Sequence, residues 1–252
     1  MTLLLKNVSY SYTNKAKQKH KVISELNLTV NKGEFVTLIG KSGTGKSTIL
    51  KLITGLLTQD EGEIGINGQA ISLGDVGYMP QRDLLLPWRT IIDNIMLGTE
   101  IQKNTHVTLE EVRTWLDRVG LLAYENALPN QLSGGMRQRA AFLRAMLTGK
   151  DVMLLDEPFG ALDALTKKEM QTWLLSIWQE LDKTILFITH DLEEACFLSD
   201  RIILLHPHKS LEEILVELPR PRAKELLYSS ALISLRQELE KKIAYDTCEK
   251  LV

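Results

Sequence analysis

The chain has 252 residues, 44% hydrophobic and 25% charged, enough to bury a substantial core without disulfide or metal staples. Its formal net charge of −2 leaves no sequence-wide basic excess, so nothing in the balance calls for nucleic acid or an anionic lipid surface, and a local basic patch stays open. No stretch of about 18 apolar residues occurs and Met1 to Ser11 lacks a charged-then-apolar leader, so a soluble chain is expected, with any membrane role exercised through a partner.

The first third reads as strands. Leu3 to Tyr12 and Val22 to Val30 alternate apolar with polar residues, and the lysine-rich run Asn14 to Lys21 between them reads as a solvated loop. Glu34 to Ile39 is a short apolar run that enters the glycine-rich loop Gly40 to Ser47, and Ser47 to Leu57 continues with helical spacing. Glu61 to Ile71 contains Asn67-Gly68, a strong hairpin signal.

After Val76 to Gln81 the composition shifts. Leu84 to Trp88 is apolar, and Ile91 to Leu97 and Thr108 to Val119 follow a helical period. Thr108 and Glu111 form a capping box, and Gly120 suits a helix stop. Residues 84–148 therefore read as a helical insertion. Val152 to Leu155, Asp163 to Leu181, Thr184 to Ile188 and Arg201 to Leu205 then alternate strand with helix, which argues for a parallel sheet covered on both faces. From His206 the spacing predicts a short strand-like run separated by Pro219 and Pro221 from two amphipathic helices. Cys196 and Cys248 stand far apart without metal-ligand spacing and read as two thiols in a reducing compartment.

The loop GKSGTGKS (Gly40, Lys41, Ser42, Gly43, Thr44, Gly45, Lys46, Ser47) followed by Thr48 fits G-x-x-x-x-G-K-[ST]. Glycines let the backbone curl so that its N–H groups face phosphate oxygens, and the following helix adds the positive end of its dipole. Lys46 is placed for the β- and γ-phosphates of a nucleotide, and Ser47 for Mg²⁺. The loop by itself does not select adenine, guanine or another phosphate compound. VMLLDEP, Val152 to Pro158, is an apolar strand ending in two carboxylates. Adjacent strand side chains face opposite ways, so Asp156 is expected at the metal and Glu157 at the attacking water. In LSGGMRQR, Leu132 to Arg139, spacing says only that Ser133 can cap a helix opened by Gly134 and Gly135, an anion site through its dipole and free N–H groups.

Taken together and in this order, the motifs resemble those of the ATP-binding-cassette (ABC) ATPases over about residues 2 to 205. The resemblance implies an α/β fold: a RecA-like P-loop core with a mostly parallel sheet, an N-terminal antiparallel β subdomain and an inserted helical subdomain. It divides a single ATPase domain, 1–252, into a core of 1–83 and 149–205, a signature subdomain of 84–148 and an extension of 206–252. It also implies roles. Tyr12 resembles the aromatic stacked on adenine, and Gln81 the glutamine that senses metal and water. Ala161, Leu162 and Asp163 match the loop that touches an opposite subunit, and His190 matches the switch histidine at the γ-phosphate. Lys41 stands where many members have proline, at a position the motif leaves free. Two copies are expected head to tail, with Ser133 and Gly135 of one capping the ATP held by Lys46, Ser47, Gln81, Asp156 and His190 of the other.

LLLPWRTIIDNI, Leu84 to Ile95, and LPRPR, Leu218 to Arg222, resemble the importer ATPases for nitrate, aliphatic sulfonates and taurine. That likeness implies an integral-membrane permease partner, an extracytoplasmic solute-binding protein and a peripheral place at the cytoplasmic face of the cell membrane. Two other readings stay open. A non-transport cassette ATPase would work with soluble partners, whereas a kinase on the same loop would leave LSGGMRQR unexplained.

Overall fold

The computed structural model describes residues 2–15, 17–102, 107–160, 162–206 and 211–248. In chain order its elements are β1 (Leu3–Thr13), β2 (Lys19–Val30), β3 (Phe35–Gly40), α1 (Lys46–Ile53), β4 (Glu61–Ile66), β5 (Gln69–Ala70), β6 (Gly77–Met79), α2 (Ile91–Gln102) and α3 (Leu109–Arg118). There follow α4 (Gly134–Met146), β7 (Val152–Asp156), α5 (Ala164–Leu181), β8 (Thr184–Ile188), α6 (Leu192–Leu198), β9 (Arg201–Leu205), β10 (Leu211–Leu215) and α7 (Ser230–Cys248).

An antiparallel sheet has the order β2-β1-β4-β5, and a larger one the order β10-β9-β3-β8-β7-β6. The larger sheet is parallel except for β10, which runs antiparallel to β9. Its strands β7, β8 and β9 are buried at every position, as uninterrupted apolar runs in a two-sided sheet must be. Alternation along β3 sends Phe35 and Ile39 to one core and Val36 and Leu38 to the other. The first core is shared with α2 to α7, the second with α1 and the antiparallel sheet. Because β3, β6, β7 and β8 are parallel, the segments after Ile39, Met79, Leu155 and Ile188 emerge along one edge. The carboxyl edge of such a sheet is where ligands bind.

Several predicted elements differ. Lys19 to Lys21, expected in a loop, pair with Ser11 to Thr13 as the start of β2. A tight turn in which Asn14 and Gln18 exchange backbone and side-chain bonds prolongs the ladder, and the ladder overrides the polar composition. The first helix stops at Ile53 rather than Leu57, because Gly55 takes a left-handed φ of 74°. Helix α2 runs on past Leu97 to Gln102. Helix α6 has no counterpart in the sequence reading. Among its described residues the tail holds β10, a 3-10 turn at Lys224–Tyr228 and one α-helix where two were expected. The turn ends where the Ser229 hydroxyl accepts from Leu232 N–H at 3.2 Å and starts α7.

The extension is fastened to α6 by arginines of the LPRPR run. Arg222, 5% exposed, donates to the carbonyls of Phe197 (2.8 Å) and Cys196 (3.4 Å). Arg220 donates to the Leu198 carbonyl at 2.7 Å, pairs with Asp200 and lies over the Trp178 ring. These guanidinium groups satisfy the carbonyls that a helix leaves free at its C-terminus. Cys196 is a buried free thiol, pushed up to about 12 by burial; the side chain of Cys248 lies outside the described set.

Candidate nucleotide site

At the carboxyl edge lies a cavity of about 630 Å³. Its wall includes Tyr12, Gly40, Ser42, Gly43, Gly45, Lys46, Ser47 and Thr48, together with Gln81, Glu157 and His190 from other elements. Sequence reasoning had no signal for Val22, an apolar residue of β2 that also lines it.

The loop's shape follows from its glycines. A Cβ on Gly40 would sit 2.6 Å from the Leu205 carbonyl oxygen, so this residue must be glycine for β3 to leave the sheet beside β9. Gly45 has φ 105°, and a Cβ there would meet Ile23 Cδ1 at 2.7 Å. Within the curl, Lys41 carbonyl oxygen accepts from Thr44 N–H (3.3 Å) and from Thr44 hydroxyl (2.9 Å). Lys46 Nζ donates to the carbonyls of Gly40 (2.6 Å) and Lys41 (2.9 Å). Burial lowers its pKa from the ordinary lysine value, with the charges of Glu157 and Asp156 opposing. Ser47 is exposed to the cavity, and Tyr12 hydroxyl lies 3.4 Å from Thr48 Oγ1, its ring edge-on to Tyr10 at 5.0 Å.

Asp156 and Glu157 occupy different surroundings, though not by simple strand alternation. β7 ends at Asp156, which is 9% exposed and whose pKa is raised by burial and then by Glu157's charge. Glu157 turns out of the strand with φ 46°, a left-handed conformation that costs a non-glycine residue about 1–3 kcal/mol. Its N–H donates to the Ile188 carbonyl at 2.9 Å, which aims the side chain into the cavity. There Gln81 Nε2 donates to Glu157 Oε2 at 2.9 Å, and His190 Nδ1 lies 3.3 Å from the same oxygen. Two residues far apart in sequence thus converge on one oxygen of Glu157.

Ser133, Gly134, Gly135 and Asp163 do not line this cavity. Ser133 hydroxyl accepts from Met136 N–H at 3.3 Å as the cap of α4. Beside Gly134 a Cβ would meet open space, whereas at Gly135 it would stand 2.7 Å from Thr166 Cγ2. Asp163 caps α5, accepting from Leu165 and Thr166 N–H at 3.1 Å each. Ala161 lies outside the described residues; Leu162 packs against the helical core.

The segment after Gln81 splits by side. Leu84 and Trp88 are exposed, Trp88 by 74%, whereas Leu85, Ile91, Ile92 and Ile95 are buried. Fully buried Asn94 holds this segment. Its amide donates to the carbonyls of Leu86, Arg89 and Thr90, and its oxygen accepts from Leu86 N–H at 2.6 Å. From α4, Arg137 pairs with Asp83 at 3.0 Å and Arg144 donates to the Leu84 carbonyl at 2.8 Å.

The family model described as ABC transporter matches residues 23–160, a span that includes the phosphate loop, Gln81, the LSGGMRQR run and Glu157. The chain belongs to the ABC transporter family. Among members, it is 42% identical over 244 residues to the formylaminopyrimidine import ATP-binding protein ThiZ of Halalkalibacterium halodurans, covering 96% of this chain and 94% of that one. It is 40% identical over 249 residues to the aliphatic sulfonates import ATP-binding protein SsuB of Bacillus cereus, 97% of each. A solved ATP-binding cassette, a dimeric post-hydrolysis state bound to ADP and Pi, superposes with a TM-score of 0.76 at 30% identity, over 86% of this chain and 100% of that one. The α/β core, the antiparallel sheet and the helices found here are the cassette architecture of this ABC family.

Proposed function

We propose that the chain is the ATP-hydrolysing, energy-coupling subunit of an ABC importer for nitrate, an aliphatic sulfonate, taurine or a related small solute. The observation that carries the reading is the meeting of Gln81 and His190 at one oxygen of Glu157, beside a phosphate loop, in a chain whose relatives are named import ATP-binding proteins. Those relatives carry different solutes at nearly equal identity, so the solute is set by the permease and the extracytoplasmic binding protein.

The chain acts as one ATPase domain: a core of 1–83 and 149–205, a helical subdomain of 84–148 and an extension of 206–252. Tyr12 stacks on the base. Gly40 to Thr48 wrap the phosphates through backbone N–H groups, and Lys46 moves from its own loop's carbonyls to the β- and γ-phosphates. Glu157 orients a water and takes its proton as the water oxygen bonds to the γ-phosphorus and the bond to the leaving ADP oxygen breaks. Gln81 and His190 hold Glu157 and the γ-phosphate in line for that attack.

The donors suit Mg²⁺. Ser47 offers a hydroxyl, and Gln81, its amide N–H₂ engaged by Glu157, offers its carbonyl oxygen. Asp156 is a buried carboxylate whose ionisation burial disfavours, a cost that a cation offsets. When bound, the ion neutralises phosphate charge.

Ser133, Gly134, Gly135 and Asp163 lie off the cavity of their own chain, which supports their use by a second copy: the α4 N-terminus caps the γ-phosphate across a homodimer closed by ATP. Trp88 and Leu84, held out by Asn94, form the surface for a permease at the cytoplasmic face of the membrane. Among the described residues no helix is long and apolar enough to cross a membrane. Affinity purification of the tagged chain from detergent-solubilised native cells tests the assignment. A stoichiometric polytopic membrane protein is expected; soluble partners alone, with ATPase activity intact, would overturn it.

A further inference from the structure

His190 has a side chain 68% exposed, so little packing fixes its ring; its place depends on the backbone of the residues on either side. Both neighbours are tied into one ionic network. Lys167 of α5 reaches Asp191 Oδ2 at 2.6 Å and Glu194 Oε1 at 2.7 Å. The other Glu194 oxygen is bonded to the Thr189 hydroxyl, and Thr189 Oγ1 accepts from Asp191 N–H at 3.0 Å. Asp191 also caps α6, accepting from Glu193 and Glu194 N–H at 2.8 and 3.3 Å. Glu194 is 3% exposed, and a carboxylate so buried is costly unless a cation and a hydrogen-bond donor meet it. Lys167 and Thr189 supply the two.

We propose that Lys167 is a positioning residue for His190, fixing the 189–191 backbone from α5, the helix that Asp163 caps. The inference rests on the role given to His190 above. A buried ion pair contributes little net stability compared with an apolar replacement, but it has strict geometry, and geometry is what an exposed imidazole at a reacting phosphate lacks. Through Lys167, whose N–H donates to the Asp163 carbonyl at 2.9 Å, the segment assigned to the dimer contact is joined by one side chain to the segment assigned to the γ-phosphate.

The test is a double-mutant cycle on the full-length chain, read as kcat, KM for ATP and nucleotide Kd. Lys167→Met is expected to lower kcat about 10- to 100-fold with Kd for ATP within about twofold, and Lys167→Arg to restore kcat to within about threefold. In a His190→Ala background, single-turnover hydrolysis should fall less than about twofold further on adding Lys167→Met, because there is no imidazole left to place. Equal losses in both backgrounds, or wild-type kcat in Lys167→Met, would overturn the inference while leaving the role of His190 standing. Normal turnover in His190→Ala would instead remove that role and the inference with it. Should Lys167→Met fail to fold because Glu194 is left unpaired, Lys167→Met/Glu194→Gln removes both charges and is expected to show the same kcat loss; wild-type kcat there would likewise overturn it.

Discussion

His190 Nδ1 stands 3.3 Å from Glu157 Oε2, across a gap between the ends of β8 and β7 that the sheet itself sets. The contact joins a group able to donate a proton to one able to accept it, and places both at the cavity wall.

Glu157→Gln keeps the shape and the Gln81 contact but removes the base. Hydrolysis is expected to fall about 10²- to 10⁴-fold, with ATP binding spared. Phosphate release and nucleotide titration on the same preparation check this, and near-normal turnover would take Glu157 out of the role.

Lys46 gives a pH dependence with a definite sign. Its pKa in the folded chain lies below the usual 10.5, first because of burial, so the folded chain loses this proton at a lower pH than the unfolded one. This lysine's own contribution to stability therefore grows as pH rises through the folded pKa. Nucleotide affinity has the opposite trend, since phosphate needs the ammonium form. ATP binding should weaken as pH rises toward the ordinary lysine value, at a lower pH than an unperturbed lysine would give, with proton uptake measurable by calorimetry in buffers of different ionisation enthalpy. An affinity that does not change as pH approaches the ordinary lysine value would contradict the assignment.

Trp88 is exposed and outside the nucleotide cavity. Trp88→Glu should leave ATP binding unchanged and abolish co-purification of the membrane partner. Retained association in a detergent pull-down would move the docking surface elsewhere.

Arg222→Met removes the donors to Phe197 and Cys196 carbonyls at the end of α6. The two buried acceptors left unmet cost about 1–3 kcal/mol each, a fall of several degrees or more in Tm for a chain of this size. Thermal unfolding checks it. An unchanged or higher Tm would mean that desolvating the guanidinium, whose pKa burial pushes down to about 10, outweighs its bonds.

What the sequence conveyed depended on how local the cause was. The phosphate loop needs glycines at fixed offsets between a strand and a helix, so Gly40 to Ser47 could be read from the chain, as could the Thr108 and Ser133 caps. Helix α6 was passed over because its seven residues are too few to display a period; Asp191 followed three residues later by Glu194 was the available signal. Alternation put Asp156 and Glu157 on opposite faces, but the separation arises from the positive φ at Glu157, which no strand rule contains. The Lys167 network could not be foreseen, since it joins residues 24 and 27 positions apart through a packing of α5 on α6 that only the fold creates.

The strand that leads into the phosphate loop has neighbours made late. β3 pairs on one side with β8 and on the other with β9, Phe35 opposite Ile185 and Val36 opposite Arg201. During synthesis residues 35–40 emerge early, stay without either hydrogen-bonding partner until β8 has been made, and lack the second until the chain has passed Leu205. Contacts of such separation form slowly and leave an apolar strand with open edges in the interval. A nascent chain arrested before Thr184 would thus expose the loop's sequence with neither neighbouring strand to hold it, and ATP could stabilise this protein only after Leu205 had been translated.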